Sequence, residues 1–488
     1  MSLVRVFSPL GLVLAAAIGC QSSVAHRATP ATHGAVASNP SSDHRDVAAR
    51  PTRSADRIRP VSYSEPALAR DDDDSTRAPI LADAEELSLD RLIAEVQTVH
   101  PSIESMSAAW QAAAHRSPQA VSLEDPMFGA TLAPASLGSR DVESAYAFEV
   151  SQKIPWSGKR ALRGSVANWE ASSAARDVET TRQKLAEVTE LAFWDFYAAR
   201  RQIDLNTQNA EILKSSRANA LTRYETGLVT QQDVLQADVE LANLEQRRLE
   251  LDRMEQVASG RINVLLRRRP NEPLPPPLKS LAREVPLPDA AVLLSLVVEQ
   301  RPEIAAAADR VQAAEATLAL THKNYYPDGE FFGRYDTFWQ PRETQSDLRG
   351  QVGVKVNVPL YRDRLNASVC EAQQQVTKAR AEHDQAILDA QSEVQVAYEQ
   401  VRESLRTSKL YSQKLIPAVE ENVSLARSHY DTGKITFLDL AIAQRQLIEA
   451  RDRQLQASVE LQRRRATLRR TAGGALPAST TADRSARI

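Results

Sequence analysis

The chain is short of cysteine, glycine and aromatic residues, and it lacks both long apolar runs and an excess of one charge. It has two cysteines and 16 glycines in 488 residues, and aromatic residues make up 5 % of it. Such a composition favours long helices over a compact enzyme core. The 60 Lys and Arg residues balance 63 Asp and Glu residues, which argues against a nucleic-acid-binding protein. No uninterrupted apolar run approaches the roughly 20 residues of a membrane-spanning helix, so a polytopic helical membrane protein is excluded.

The N-terminus has the pattern of an export signal. Residues 1–19 are basic, then apolar, then small, which predicts a cleaved signal peptide. Cys20 follows directly, as in the bacterial lipoprotein box, so we expect it to be lipidated. The alternative is an ordinary signal peptide beside a coincidental cysteine. A lipidated Cys20 would leave Cys370 without an intramolecular disulfide partner. Residues 20–84, rich in proline and without apolar periodicity, are predicted to be a lipid anchor and disordered linker.

The body of the chain consists of two similar repeats. Three landmarks recur in the same order at nearly constant spacing, and the pairs are Pro101 with Pro302, Pro155 with Pro359, and Gly227 with Gly433. This spacing predicts a tandem duplication. The expected segments are a first repeat over 85–269, a proline-rich connector over 270–288, a second repeat over 289–472 and a disordered tail over 473–488.

Within each repeat the apolar period switches from helical to two and back. The alternating segments predict four strands of about ten residues, arranged as two hairpins. They lie near 127–133, 145–154, 330–339 and 351–358. In the last segment one face consists of valines, which we expect to face lipid: Val352, Val354, Val356 and Val358. Soluble sheets alternate in the same way, so the strands alone leave both readings open.

Aromatic residues at the strand ends favour the membrane reading. Trp156, Tyr325, Tyr326 and Tyr361 would all lie at one boundary of a bilayer, as membrane-interface aromatics do. Four strands cannot close a barrel, and open edges in hydrocarbon leave costly unpaired backbone groups. The membrane reading therefore requires several copies, and three copies would supply 12 strands.

Long proline-free segments with a narrow apolar seam predict coiled-coil helices. Together with the export signal, the duplication and the hairpins, they resemble the TolC-like outer-membrane efflux channel family, the outer membrane factors of tripartite efflux systems. The resemblance covers residues 85–472. It is most specific at the segments 223–233, RYETGLVTQQD, and 429–439, HYDTGKITFLD. A narrower similarity, in EDPM at 124–127 and QKIPWSGKR at 152–160, points to the cobalt-zinc-cadmium and copper export branch.

The resemblance implies a mainly α fold with a membrane β-barrel. A tandem α/β unit would contribute four strands to a 12-stranded trimeric barrel, continued by a long α-helical coiled-coil tunnel. It implies a homotrimer in the cell outer membrane, in contact with outer-membrane lipid and extending into the periplasm. Its partners would be a periplasmic adaptor protein and an inner-membrane pump. The chain would then be an exit duct that passively conducts solutes. The alternative is a lipid-anchored periplasmic coiled-coil scaffold without a pore.

The two glycine motifs are predicted to be tight turns between helices, with Thr230 and Thr436 capping the returning helix. The resemblance adds adaptor docking at these tips, at Gly227, Leu228, Thr230, Gly433, Lys434 and Thr436. It also makes Asp233, Asp439 and Tyr430 candidates for a pore gate. Ile435 stands where the best-known family members carry an arginine, so their latch does not transfer intact.

No catalytic constellation is present in the sequence. The eight histidines are scattered, no pair has metal-ligand spacing on a helix, and no glycine-rich phosphate loop appears. We therefore expect no enzyme activity, no cofactor, no bound metal and no nucleic-acid partner. Energy for transport would have to come from another protein.

Overall fold

The computed structural model describes residues 86–134, 145–277, 286–336 and 350–474. The two repeats follow one plan of short helices, two strands and a long helical hairpin. The first contains α1 (Leu89–Val99), α2 (Pro101–Ala114), α3 (Arg116–Val121), β1 (Met127–Leu132), β2 (Tyr146–Ile154), α4 (Lys159–Glu225) and α5 (Gln231–Leu265). The second contains α6 (Ala290–Gln300), α7 (Pro302–Lys323), β3 (Gly329–Asp336), β4 (Gly350–Val356), α8 (Arg362–Leu410), α9 (Ile416–Asp431) and α10 (Phe437–Thr471). The chain is mostly helical.

The landmark prolines begin equivalent helices. Pro101 and Pro302 are the first residues of α2 and α7, where a missing N–H costs no hydrogen bond within the helix. The residue before each proline, His100 or Arg301, is extended, as the proline ring requires. The sequence repeat is therefore also a structural repeat.

The four strands form one antiparallel sheet in the order β1-β2-β3-β4. Each repeat supplies one hairpin, and the repeats join where β2 pairs with β3, with Val150 opposite Gly333. The strands have six, nine, eight and seven residues. β1 and β2 are shorter than the ten or so residues we expected, and Val358 lies beyond the end of β4. Among the described residues, the outer strands β1 and β4 each pair on one side only.

The helical hairpins differ in their first arm. In the first repeat α4 is continuous for 67 residues, a length of roughly 100 Å. In the second repeat the arm is divided into α8 and α9 by a π-helical turn, Tyr411–Leu415. Pro417 follows this turn. Proline has no backbone N–H to donate, and its ring would clash with the carbonyl four residues earlier in a regular α-helix. The wider π-helical turn accommodates both.

In the part of the chain that the structure describes, three apolar clusters hold these elements together. The first packs α1 against α4 and α5 around the fully buried Phe193 and Ile262. The second packs α6 against α8 and α10 around Leu293 and Leu468. The third joins the tips of both hairpins and includes Phe437. The core is thus a series of local seams along the helices, as the narrow apolar stripe predicted.

Several expectations fall on residues that the structure does not describe. They are the signal peptide (1–19), Cys20 and the linker (20–84), residues 337–339 of the third predicted strand, 278–285 of the connector and 475–488 of the tail. The described start of the connector is packed, since the Asn263 side chain donates to the carbonyls of Pro270 and Glu272 at 3.2 and 2.8 Å. Among the described residues, no helix has both the length and the apolarity to cross a membrane.

Candidate functional site

Both hairpins turn at the predicted glycines. Gly227 and Gly433 have φ angles of 75° and 73°, a left-handed conformation that disfavours residues with a Cβ. At the first tip the N–H groups of Gly227 and Leu228 donate to the carbonyls of Tyr224 and Arg223 at 2.9 and 2.8 Å. This pair of bonds is a Schellman motif, and the second tip repeats it.

The helices that return from the turns are capped differently. Thr436 and Asp439 form a complete capping box. The Thr436 hydroxyl accepts from the Asp439 N–H at 3.3 Å, and the Asp439 carboxylate accepts from the Thr436 N–H at 3.1 Å. The expected cap at Thr230 is wrong, because its side chain accepts no bond from the helix. The Asp233 N–H donates instead to the Thr230 main-chain carbonyl at 3.1 Å.

Tyr430, one of the gate candidates, lies inside the cluster that joins the two tips. It is 2 % exposed, and its ring packs edge-on against Phe437, with centroids 5.7 Å apart. Ala220 and Val234 of the first hairpin belong to the same cluster. The Tyr430 hydroxyl is buried without a hydrogen-bond partner among the described residues. The equivalent residue of the first repeat, Tyr224, is 42 % exposed.

Arg223 connects the first tip to the second. Its guanidinium donates to the carbonyls of Tyr430 and Asp431 at 2.7 and 3.4 Å, and its Cζ lies 4.7 Å from the centre of the Tyr430 ring. These carbonyls belong to the last two residues of α9, where main-chain acceptors lack partners in the helix and the helix dipole attracts a cation. One side chain of the first repeat therefore caps a helix of the second.

The pKa values of the two candidate gate carboxylates are shifted in opposite directions. Burial raises the pKa of Asp233, against the opposing influence of Thr230 and Arg223. Hydrogen bonds from the Thr436 side chain and backbone lower the pKa of Asp439, which is exposed. Equivalent positions in the two repeats therefore hold their negative charge with different strength.

At the other end of the long helices, a partly buried ion pair connects the strands to α4. Lys159, the first residue of α4, has a side chain that is 4 % exposed and donates to both carboxylate oxygens of Asp328 at 2.8 and 2.9 Å. The backbone N–H of Trp156 also donates to Asp328, at 2.7 Å. Asn357 accepts from the Asp328 N–H at 2.7 Å. Asp328 thus fixes the ends of β2 and β4 to the start of β3.

The sheet has one apolar and one charged face. Residues paired across the strands lie on the same face, and every charged side chain of the four strands falls on one of them: Glu149, Lys153, Glu330, Arg334, Asp336 and Lys355. There Lys355 donates to Glu149 at 2.8 Å. The opposite face is apolar apart from Gln152, and on it Val352, Val354 and Val356 are 92 %, 54 % and 54 % exposed.

The aromatic residues predicted at the membrane interface lie where the strands meet the long helices. Trp156 and Tyr326 stack at a centroid distance of 5.5 Å and an angle of 14°. Tyr361 is 76 % exposed, and the Tyr325 hydroxyl donates to Asn366 at 2.5 Å. Their placement at a membrane boundary stays a prediction.

Sequence reasoning missed Arg223, Lys159 and Asp328. Arg223 and Lys159 each bind a residue more than 160 positions away in the chain. A weak signal was available, because these two residues lie in the segments 223–233 and 152–160 that carry the family resemblance. Among the described residues, no group of His, Cys, Asp and Glu side chains could hold a metal ion.

The fold is that of solved outer-membrane channels. The outer membrane protein VceC of Vibrio cholerae matches with a TM-score of 0.66 at 18 % identity, over 80 % of this chain and 97 % of VceC. The MtrE outer membrane channel of Neisseria gonorrhoeae matches with a TM-score of 0.65 at 15 % identity, over 80 % and 90 %.

Sequence comparison agrees with the fold. Residues 293–474 match the family model described as outer membrane efflux protein. The cobalt-zinc-cadmium resistance protein CzcC of Cupriavidus metallidurans is 25 % identical over 304 residues, which are 62 % of this chain and 71 % of CzcC. The resemblance to outer-membrane efflux channels that was predicted from the tips and strands is confirmed, with the family match lying over residues 293–474.

Proposed function

We propose that this chain is the outer-membrane exit duct of a tripartite efflux system. Three copies form a 12-stranded barrel, and their helices continue it as a tunnel through the periplasm. An inner-membrane pump and a periplasmic adaptor deliver solutes, which the duct conducts passively. The lipid anchor at Cys20 holds the linker to the membrane.

The observation that carries the proposal is the two-faced sheet. An exposed valine face and a charged opposite face fit a wall between lipid and water. The free sides of β1 and β4 leave backbone groups unpaired, and each such group costs several kcal/mol in hydrocarbon. Pairing β4 of one copy with β1 of the next removes both edges and closes the ring.

The membrane reading is tested by a pair of neighbouring substitutions. Val354→Arg places a charge on the apolar face, and we expect it to cost about 2–4 kcal/mol at mid-bilayer depth and to block insertion into vesicles. Lys355→Arg, one residue further on the charged face, should insert normally. Equal insertion of both variants would contradict the barrel and favour the scaffold without a pore.

The hairpin tips are proposed as the adaptor-docking and gating end. Support comes from their exposure, since Leu228 is 68 % exposed and Gly433, Lys434 and Thr436 are exposed at the second turn. Asp233 and Asp439 of three copies would place up to six carboxylates near one constriction, which selects cations. We expect Asp439→Ala to reduce cation selectivity in single-channel recordings. Unchanged selectivity would reduce Asp439 to a helix cap.

The cargo proposal rests on the similarity to CzcC. We propose that the associated pump exports divalent heavy-metal ions, and that the duct carries them without a resident metal site. In cells that lack CzcC but keep its pump and adaptor, expression of this chain should restore growth on cobalt, zinc and cadmium salts. Growth no better than with an empty vector, despite correct insertion, would exclude this cargo or this pump.

A further inference from the structure

The junction between strands and helices carries a strip of exposed and partly exposed aromatic and basic side chains, which we call the junction surface. It consists of Trp156, Lys323, Tyr325, Tyr326 and Arg362. Trp156 and Tyr326 form a stacked pair with 43 % and 47 % of their surface exposed. Tyr326 follows Tyr325 directly, so the strip runs without a break from the end of β2 to the start of α8.

Two cations are held against these rings. The Lys323 ammonium lies 5.3 Å from the centre of the Tyr326 ring, and the Arg362 guanidinium lies 5.6 Å from that of Tyr325. A ring face attracts a cation without neutralising it. Each positive charge is therefore positioned and still available to an anion.

No carboxylate of the described residues neutralises these two charges. Neither Lys323 nor Arg362 has an ion pair within the described ranges, although Asp363 is the next residue after Arg362. Asp328, the carboxylate of this junction, is already occupied by the buried Lys159. The positive charge of the junction surface is thus left unmatched by the surrounding described residues.

The position of the strip defines its partner. Val358, Leu360 and Tyr361 lie just before Arg362 and are 66 %, 74 % and 76 % exposed, so the cations adjoin an exposed apolar surface. Aromatic rings beside Lys and Arg at such a boundary are typical of the interface between acyl chains and headgroups. Basic residues at this depth attract anionic lipid headgroups.

We propose that the junction surface binds the phosphate of an anionic phospholipid headgroup, in the leaflet that faces the helical tunnel. The acyl chains of this lipid lie against the valine face, and its phosphate bridges Lys323 and Arg362. The inference rests on the proposed insertion of the sheet in a membrane and adds a lipid-selective site to it.

The test uses the full-length protein reconstituted in vesicles of equal parts phosphatidylglycerol and phosphatidylcholine. The complex is extracted in mild detergent, and the lipids that remain bound are counted by native mass spectrometry. We expect wild type to retain phosphatidylglycerol in preference to phosphatidylcholine. Lys323→Gln and Arg362→Gln should each lower that preference about fivefold. Lys409→Gln, an exposed cation on α8 away from the junction, is the matched control.

The outcomes separate the two proposals. Wild type that inserts without preferring phosphatidylglycerol would overturn the junction surface and leave the duct intact. A preference that survives the Lys323→Gln, Arg362→Gln double variant would also overturn it. Wild type that never inserts would overturn the proposed function and the lipid site together.

Discussion

The two hairpin tips have the same backbone but different side-chain environments. Gly227 and Gly433 make the same turn with the same Schellman bonds. Around that turn, Tyr224 is exposed where Tyr430 is buried, and Thr230 leaves its helix uncapped where Thr436 completes a capping box. Duplication preserved the turn, and packing between the tips then gave each copy its own role.

Two further pairs of equivalent residues show the same difference between the tips. Arg223 reaches from the first tip onto the last turn of α9, whereas its counterpart, the exposed His429, makes no such contact in the described residues. Phe437, fully buried, stands where the first repeat has the exposed Gln231. The second tip is therefore stabilised by a side chain that the first tip supplies.

The largest expected difference concerns the two tyrosines. Tyr430→Ala removes a buried ring from the cluster between the tips and should lower the local opening free energy by about 3–5 kcal/mol. Tyr224→Ala removes a half-exposed ring and should change it by less than about 0.5 kcal/mol. Hydrogen exchange of the amides in the last turn of α9 and the first turn of α10 measures both.

Tyr430→Phe is the control for this pair. Because the Tyr430 hydroxyl has no partner among the described residues, its removal should leave exchange unchanged or slower. Faster exchange in the phenylalanine variant would show that the hydroxyl has a stabilising partner beyond the described residues. Equal effects of the two alanine substitutions would contradict the asymmetry itself.

Arg223 should give the next largest effect. Arg223→Met loses a charged donor to two carbonyls and a cation–ring contact, and should lower the same opening free energy by about 1–3 kcal/mol. His429→Met at the equivalent position should change it by less than about 0.5 kcal/mol. Hydrogen exchange again provides the measurement.

Arg223→Lys refines this result. Lysine keeps the charge but cannot present two parallel donors, so it should recover only part of the loss. Full recovery of the opening free energy would show that the positive charge alone accounts for the stabilisation. No loss in Arg223→Met would mean that the Arg223 contacts do not stabilise the second tip.

The caps should separate the tips by a smaller amount. Thr436→Ala breaks the capping box and should cost about 1 kcal/mol of helix stability. Thr230→Ala removes a side chain that accepts no capping bond, although it hydrogen-bonds to Asp233, and should cost less than about 0.5 kcal/mol. Exchange of the amides in the first turns of α10 and α5 distinguishes the two, and a loss at Thr230 equal to that at Thr436 would contradict the structure.

Local features were predictable from the sequence, and contacts between the repeats were not. The glycine turns, the cap at Thr436 and the strands follow from residues within a few positions of one another, where turn chemistry and apolar period act directly. The contact between Arg223 and Tyr430 joins residues 207 apart in the chain, and no periodicity encodes it. Thr230 shows the limit of local reasoning, because a suitable residue at the right position still makes no side-chain cap.

The smallest expected difference is in pH dependence, and it changes sign between the tips. Since the folded pKa of Asp439 is lowered, its stabilising contribution is present above the ordinary carboxyl pKa and is lost as pH falls through the folded value. Since the folded pKa of Asp233 is raised, protonation favours the folded tip. Its contribution grows as pH falls through the folded value.

Asparagine variants test these two opposite pH dependences. Asp439→Asn should make the second tip less sensitive to acid below about pH 4, the ordinary range of aspartate. Asp233→Asn should stabilise the first tip at neutral pH and remove its gain on acidification. Limited proteolysis at the two turns between pH 3 and 7 reports each tip separately, because each turn yields a different pair of fragments. Parallel pH profiles at the two turns would show that the aspartates remain equivalent despite their different surroundings. Opposite profiles that disappear in the matching asparagine variant would instead assign the electrostatic difference to these two carboxylates.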